Sequence, residues 1–211
     1  MNKLADFISL PPRFASDEEI ARHEREIREA QELERKRERR EAWAMVEASI
    51  PVVHSEAKLD AEWLRALVGP RAMRGAHAAI QAPRVVLMGP TSAGKSSLAV
   101  AMLRARKDLG ARFVDCMRLG TARIQHRAGD GEAPAVEAAM LAKFALLDEL
   151  GGERHTQNSA VGEVIHERHA QKRPTWFTTG QTPEELSARY GTGEVRRVFE
   201  GAVVIKLGGR K

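Results

Sequence analysis

The apolar positions of the chain change texture near residue 82. Beyond that point short continuous apolar runs alternate with longer segments of helical spacing, predicting strands near 84–89, 112–117, 144–148, 175–179 and 202–207. Strands apolar at successive positions, rather than at every second one, are buried on both faces, as in a parallel sheet covered by helices on either side. The expected fold class is therefore α/β, with a five-stranded parallel sheet.

Before residue 82 the pattern differs. Asp17 to Glu41 is charged or small at nearly every position, with acids at its start and Arg35 to Arg40 towards its end, an order that suits a helix dipole. Ser16 with Glu19 forms a capping box, the predicted helix runs towards Ser49, and Pro51 closes it. Glu18 with Arg22, Glu24 with Arg28 and Glu32 with Lys36 have the favourable i, i+4 order. The apolar face is thin, little more than Ile20, Ile27 and Leu33, so the helix is either solvated or docks on a partner protein. From Pro51 to Ile80 the spacing is again helical, and Trp63, Leu64, Leu67 and Val68 are expected to pack this part onto the sheet. The predicted division is an N-terminal charged helical extension, 1–50, and an α/β core, 51–211.

Composition narrows the function only a little. The 211 residues are 43% apolar, enough for one core, and the formal net charge of +5 permits a polyanionic partner without demanding one. The single Cys116, expected within strand two, excludes an internal disulfide framework and points to a reducing compartment. No run approaches the roughly 20 apolar residues of a membrane span, and Met1 to Leu10 lacks the apolar stretch of a signal peptide. A cytoplasmic protein with no membrane partner is the expectation.

The chemistry is concentrated where the first apolar run meets its helix. The strand Arg84-Val85-Val86-Leu87-Met88 leads into Gly89-Pro90-Thr91-Ser92-Ala93-Gly94-Lys95-Ser96, and Ser97 continues into the following helix. A strand, a G-x-x-x-x-G-K-[ST] loop and a helix in that order are what a phosphate-binding loop requires. Its glycines let the backbone wrap tightly so that N–H groups and a positive helix end face an anion. Lys95 would then reach the β and γ phosphates of ATP, and Ser96 would place its hydroxyl on Mg²⁺. A second apolar run, Phe144-Ala145-Leu146-Leu147, ends in Asp148-Glu149. In that pairing Asp148 would hold Mg²⁺ and Glu149 would polarise the attacking water.

Together these residues resemble the AAA+ ATPases of the DnaC helicase-loader and IstB transposition-helper type. The resemblance covers roughly Pro51 to Leu207. It rests on the phosphate loop, on Leu146-Leu147-Asp148-Glu149-Leu150-Gly151, and on Ile165-His166-Glu167-Arg168-His169 with Lys172-Arg173-Pro174-Thr175. Thr178-Thr179-Gly180 and Arg196-Arg197-Val198-Phe199 complete it. It implies a P-loop NTPase (AAA+) core without a C-terminal lid, since strand five lies at the end of the chain. It also implies an ATP-dependent homo-oligomer in which Arg197, with Arg196 second, enters a neighbour's ATP site as an arginine finger. One position departs from the pattern: Gly180 stands where the family carries a polar sensor, which leaves Thr179 or Gln181 in its place, or a slow turnover. In the resembled group the region after strand two lines a single-stranded DNA channel, which would put Arg118, Arg123 and Arg127, with His126, on phosphates. The alternative there is a solvated basic loop.

The function expected from this set is ATP hydrolysis in a DNA replication helper, a helicase loader acting on single-stranded DNA. Its charged N-terminal helix would engage a replicative helicase. A transposase partner, as in an IstB-type helper, uses the same core. A small-molecule kinase and a weakly hydrolysing nucleotide-binding adaptor are the competing classes.

Overall fold

A computed structural model describes residues 16–107, 110–127, 129–154 and 158–208. Met1 to Leu10, read above for its lack of a signal peptide, lies outside them. The chain falls into two compact units, Met1–Ala42 and Trp43–Lys211.

In the first unit the described residues are helical, the start of α1 (Asp17–Ser49). The expected capping box is formed: the Glu19 backbone N–H donates to Ser16 Oγ at 3.3 Å, and the Ser16 N–H donates to the Glu19 carboxylate at 2.9 Å. Glu24 and Arg28 pair at 3.1 Å in the expected order, and Arg37 and Glu41 pair at 2.9 Å in the reverse one. Such exposed pairs contribute only about 0.3–0.5 kcal/mol each. Leu33 is 70% exposed, so this stretch draws little from apolar burial.

The last turns of α1 belong to the second unit. Val46 is buried, Glu47 takes both ends of the Arg104 guanidinium at 3.0 and 2.7 Å, and Ser49 Oγ accepts the Phe113 N–H at 3.1 Å. A short 3-10 turn (Val52–His54) follows, then α2 (Glu62–Ala79), which breaks at Gly69, φ 78°, before Pro70. Pro70 brings no N–H and bars its predecessor from helical angles; glycine tolerates the positive φ that results.

The sheet has the five expected strands: β1 (Arg84–Met88), β2 (Ala111–Asp115), β3 (Phe144–Asp148), β4 (Thr175–Thr179) and β5 (Val203–Lys206). All neighbours are parallel and the order is β2-β3-β4-β1-β5. Helices α3 (Lys95–Arg106), α4 (Cys116–Gln125), α5 (Pro134–Leu141), α6 (Asn158–Ala170), α7 (Pro183–Tyr190) and α8 (Thr192–Phe199) connect or flank them. Alternate strand residues divide between two cores. Val85, Leu87, Phe144, Leu146 and Trp176 pack with α2 and α3; Val86, Leu147 and Phe177 pack with residues of α4 to α8. This is why the strands read as continuous apolar runs.

Strand two ends two residues before expectation. The Asp115 carboxylate accepts the backbone N–H groups of Met117 and Arg118 at 2.9 and 3.4 Å and so caps α4, which turns the chain. Cys116 therefore opens a helix instead of sitting in a strand, and its buried thiol is free. Among the described residues no helix is long and apolar enough to cross a membrane.

One buried cation explains the Arg168 and Arg173-Pro174-Thr175 pattern. Arg168 is 1% exposed and donates to the carbonyls of Ala139, Ala142 and Pro174 at 2.7–2.8 Å and to Thr175 Oγ1 at 2.9 Å. Its guanidinium thus closes the C-terminal end of α5, where the helix dipole favours positive charge. Burial, with help from Arg173, lowers its pKa to about 10, so it remains a cation at neutral pH.

Candidate nucleotide site

The C-terminal ends of β1, β3 and β4 lie side by side, and the site is built on them. β1 runs into the loop through Gly89, whose N–H donates to the Thr179 carbonyl at 3.2 Å. A side chain at Gly89 would meet the Leu207 carbonyl at 2.5 Å, so the close strand packing demands glycine. The loop then turns through Ser92 at φ 62° and Gly94 at φ 84°, and Gly94 caps α3. A Cβ on Gly94 would lie 2.8 Å from Leu67 and 2.9 Å from Val68, so α2 supports the loop from below. Pro90 and Thr91 are exposed, while Ala93 is buried and anchors the turn. The Lys95 ammonium donates to the Pro90 carbonyl at 2.8 Å. Burial lowers its pKa, opposed by the Asp148 and Glu149 carboxylates.

Across from the loop, Asp148 is buried and receives the Thr178 hydroxyl at 2.6 Å. Burial raises its pKa, against hydrogen bonds from Thr178 and Ser96. A buried carboxylate close to the P-loop serine is a donor set that fits a hard divalent cation such as Mg²⁺. Glu149 is exposed, with φ 57° turning it away from the strand; partial desolvation and then the Asp148 and Asp115 carboxylates raise its pKa. A carboxylate raised in this way is better matched to taking a proton near neutrality.

Both halves line one cleft of about 750 Å³, in the size range of nucleotide and drug-sized ligand sites. Thr91, Ser92, Gly94, Lys95, Ser96 and Ser97 face it from the loop and Glu149 to Gly152 from the acidic turn. Val53, His54 and Leu67 close another side, and Met117 from α4 completes the rim. The 3-10 turn and α2 carry no motif, so those wall residues were not legible in the sequence. His54 Nδ1 lies 3.1 Å from Ser97 Oγ, which ties the wall to α3 and engages the Ser97 hydroxyl. Burial lowers the His54 pKa, so its ring tends to the neutral form.

The sensor candidates separate. Thr179 is fully buried, its hydroxyl donating to the Leu150 carbonyl at 2.8 Å, so it braces the acidic turn and does not line the cleft. Gly180 and Gln181 do line it. Gly180 has no positive φ, and a Cβ there would meet nothing closer than the Gly89 carbonyl at 3.7 Å, so its small size is not forced by packing.

The arginines also divide. Arg196 is exposed on α8, and Arg197 beside it holds Glu194 at 3.0 Å; neither lines the cleft of its own chain. Arg118 has 87% of its side chain exposed and touches Asp115 at 3.3 Å, and Arg127 is exposed. Arg123 is different: its guanidinium is held by Glu132 and by Glu163 at 2.7 Å, joining α4 to α6. The acids that engage it are 9 and 40 residues away, too far for helix periodicity to reveal.

No family model matches the chain, and no curated protein matches it. Solved structures do. A DnaC helicase loader shares 20% identity over 74% of this chain and 99% of its own, with a TM-score of 0.62. DnaI shares 18% over 74% of this chain and 94% of its own, at 0.58. AMPPCP-bound DnaA from Aquifex aeolicus shares 15% over 72% of this chain, at 0.53, and this chain spans 50% of it. The sheet order, the phosphate loop and these likenesses define the AAA+ P-loop fold. Within that class the chain is DnaC-like in architecture, sharing the fold of the DnaC helicase loader and of DnaI.

Proposed function

We propose that the chain is an ATP-dependent DNA replication helper, a helicase loader acting on single-stranded DNA. The observation that carries the reading is the cleft in which the phosphate loop, with Ser96 close to the buried Asp148, and Glu149 converge on a fold shared with DnaC and DnaI. Gly89 to Gly94 wrap the phosphates, Lys95 neutralises them, and Val53, His54 and Leu67 form the wall left for the base. Ser96 and Asp148 hold Mg²⁺, which when bound draws charge from the phosphate oxygens. Glu149 accepts a proton from the attacking water, and Arg197, with Arg196 beside it, serves a neighbouring copy's site because neither lines its own. Arg118 and Arg127 are the exposed candidates for DNA phosphates, while Arg123 ties α4, which carries Arg118, to Glu132 and to α6.

The partner contact is assigned to the exposed charged helix of the first unit. The structure moves the cut for testing it: removal through Ser49 takes Val46, Glu47 and Ser49 out of the core, whereas removal through Ala42 spares them. The test is ATP turnover with and without single-stranded DNA, together with retention of a replicative helicase by the intact and the truncated chain. Expected are turnover stimulated by DNA and retention lost on truncation with ATP binding preserved. Retention of a transposase instead would replace the loader assignment, and phosphorylation of a small molecule would replace the ATPase one.

A further inference from the structure

The three residues after Asp148 leave none of their backbone groups unpaired, and most of the partners come from far along the chain. Glu149 N–H donates to Thr178 Oγ1 at 2.9 Å and Leu150 N–H to the Thr178 carbonyl at 2.8 Å. The Leu150 carbonyl accepts Thr179 Oγ1 at 2.8 Å, and the Gly151 carbonyl accepts Gln181 Nε2 at 2.9 Å. The Glu149 carbonyl accepts the Gly152 N–H at 2.8 Å. That leaves the Gly151 N–H, which donates to the phenol oxygen of Tyr190 at 3.0 Å. This last bond crosses from the acidic turn to the final residue of α7.

Tyr190 is itself held. Its hydroxyl donates to Glu153, whose side chain is fully buried, and the same carboxylate oxygen takes Arg189 Nε at 3.3 Å. Burying a carboxylate and a guanidinium costs several kcal/mol unless their hydrogen bonds are made, and well-packed apolar residues would stabilise a fold at least as well. The polar triad is therefore poorly explained by stability alone. It sits where the turn has least tolerance for movement. Glu149 and Gly151 both have positive φ, at 57° and 88°, and a side chain at Gly151 would meet Gln181 at 2.5 Å.

Resting on the ATPase reading above, we propose that Tyr190 is a positioning residue for hydrolysis: through Gly151 and Glu153 it fixes the turn that aims the Glu149 carboxylate. Tyr190 does not line the nucleotide cleft, so it acts on the water only through Glu149. It also ends the helix before Gly191, after which α8 carries Arg197. Small displacements of a catalytic group lower rates steeply, by about 100-fold for 1 Å.

The test compares Tyr190→Phe and Glu153→Gln with the wild-type chain in ATP affinity, kcat, KM and thermal midpoint. Tyr190→Phe removes the hydroxyl and keeps the ring; it is expected to lower kcat about tenfold or more with ATP affinity within twofold. Glu153→Gln keeps an oxygen that accepts the Tyr190 hydroxyl, and its kcat is expected to stay within about threefold. An unchanged kcat in a folded Tyr190→Phe chain overturns the proposal. So does a parallel loss of ATP affinity and thermal midpoint, the mark of a purely structural role. If Tyr190→Phe fails to fold, Glu153→Gln decides: a kcat lowered as far as in Glu153→Leu, with ATP still bound, overturns it, and recovery towards wild type supports it. A wild-type chain that binds ATP and never turns it over removes the ATPase reading and this inference together, whereas a wild type active beside an equally active Tyr190→Phe removes only the inference.

Discussion

The two walls of the cleft are built in opposite ways. The phosphate loop, Gly89 to Ser96, gets most of its shape from consecutive residues and its own backbone, with positive φ at Ser92 and Gly94; its distant supports are the Thr179 carbonyl on the Gly89 N–H, the Leu207 carbonyl close against Gly89, and apolar contact from Leu67 and Val68. The acidic turn, Asp148 to Gly152, gets its shape from side chains 29 to 39 residues away: Thr178, Thr179, Gln181 and Tyr190. On the proposed ATPase reading, the first wall is a local device for binding and the second a non-local device for turnover. Binding should then tolerate distant changes, and turnover should not.

The largest effect expected from breaking that contrast is at Lys95. Lys95→Ala removes a cation worth roughly two charge-assisted hydrogen bonds to phosphate, and ATP affinity should fall about 100-fold or more in calorimetry. The fold should survive, because Lys95 is half-exposed and its present bond is to a local carbonyl. Unchanged affinity would mean the loop does not hold phosphate.

Glu149→Gln addresses the other wall. The amide cannot take a proton, so kcat should fall by about 10²-fold or more, while ATP affinity stays within a few-fold since Asp148, Ser96 and the loop are intact. A variant that turns over normally would move the general base elsewhere.

A smaller effect concerns stability and runs against function. Burial raises the Asp148 pKa above its ordinary 3.8, so the folded chain keeps this proton at a pH where the unfolded chain has lost it. Stability from that proton is full below the unfolded value, declines as pH rises towards the raised folded value, and is gone above it. Asp148→Asn should therefore be more stable than wild type at neutral pH without Mg²⁺, by about 1 kcal/mol. The gap should close as pH falls below 3.8, and Mg²⁺-dependent turnover should be lost. Denaturant titrations at both pH values check the sign; a variant less stable at neutral pH contradicts it.

The smallest expected change sharpens the comparison at its seam. Gly180 lines the cleft, and its backbone and surroundings have room for a side chain. Gly180→Asn places a polar group where the resembled family carries one, and kcat should rise, by less than the roughly 100-fold that a fully preorganised donor supplies. A fall in kcat would mean that Gln181 already fills the role and is displaced.

What the sequence determined by itself is whatever consecutive residues express. Five apolar runs placed five strands to within two residues at their ends, and the glycine spacing of 89 to 96 defined the phosphate loop. The Ser16–Glu19 cap and the Glu24–Arg28 pair are likewise short-range. Asp148 and Glu149 stood out as candidates because the apolar run of β3 ends on two adjacent acids. The tertiary structure alone decided the strand order, the placing of Val53, His54 and Leu67 on the cleft, the engagement of Arg123 with Glu132 and Glu163, and the turning of Thr179 away from the cleft. It also decided that Tyr190 reaches back to Gly151, 39 residues earlier. These share one physical cause. A side chain's hydrogen-bonding groups are the same in every context, and which partner satisfies them depends on segments brought together only when the sheet and its helices close around both cores.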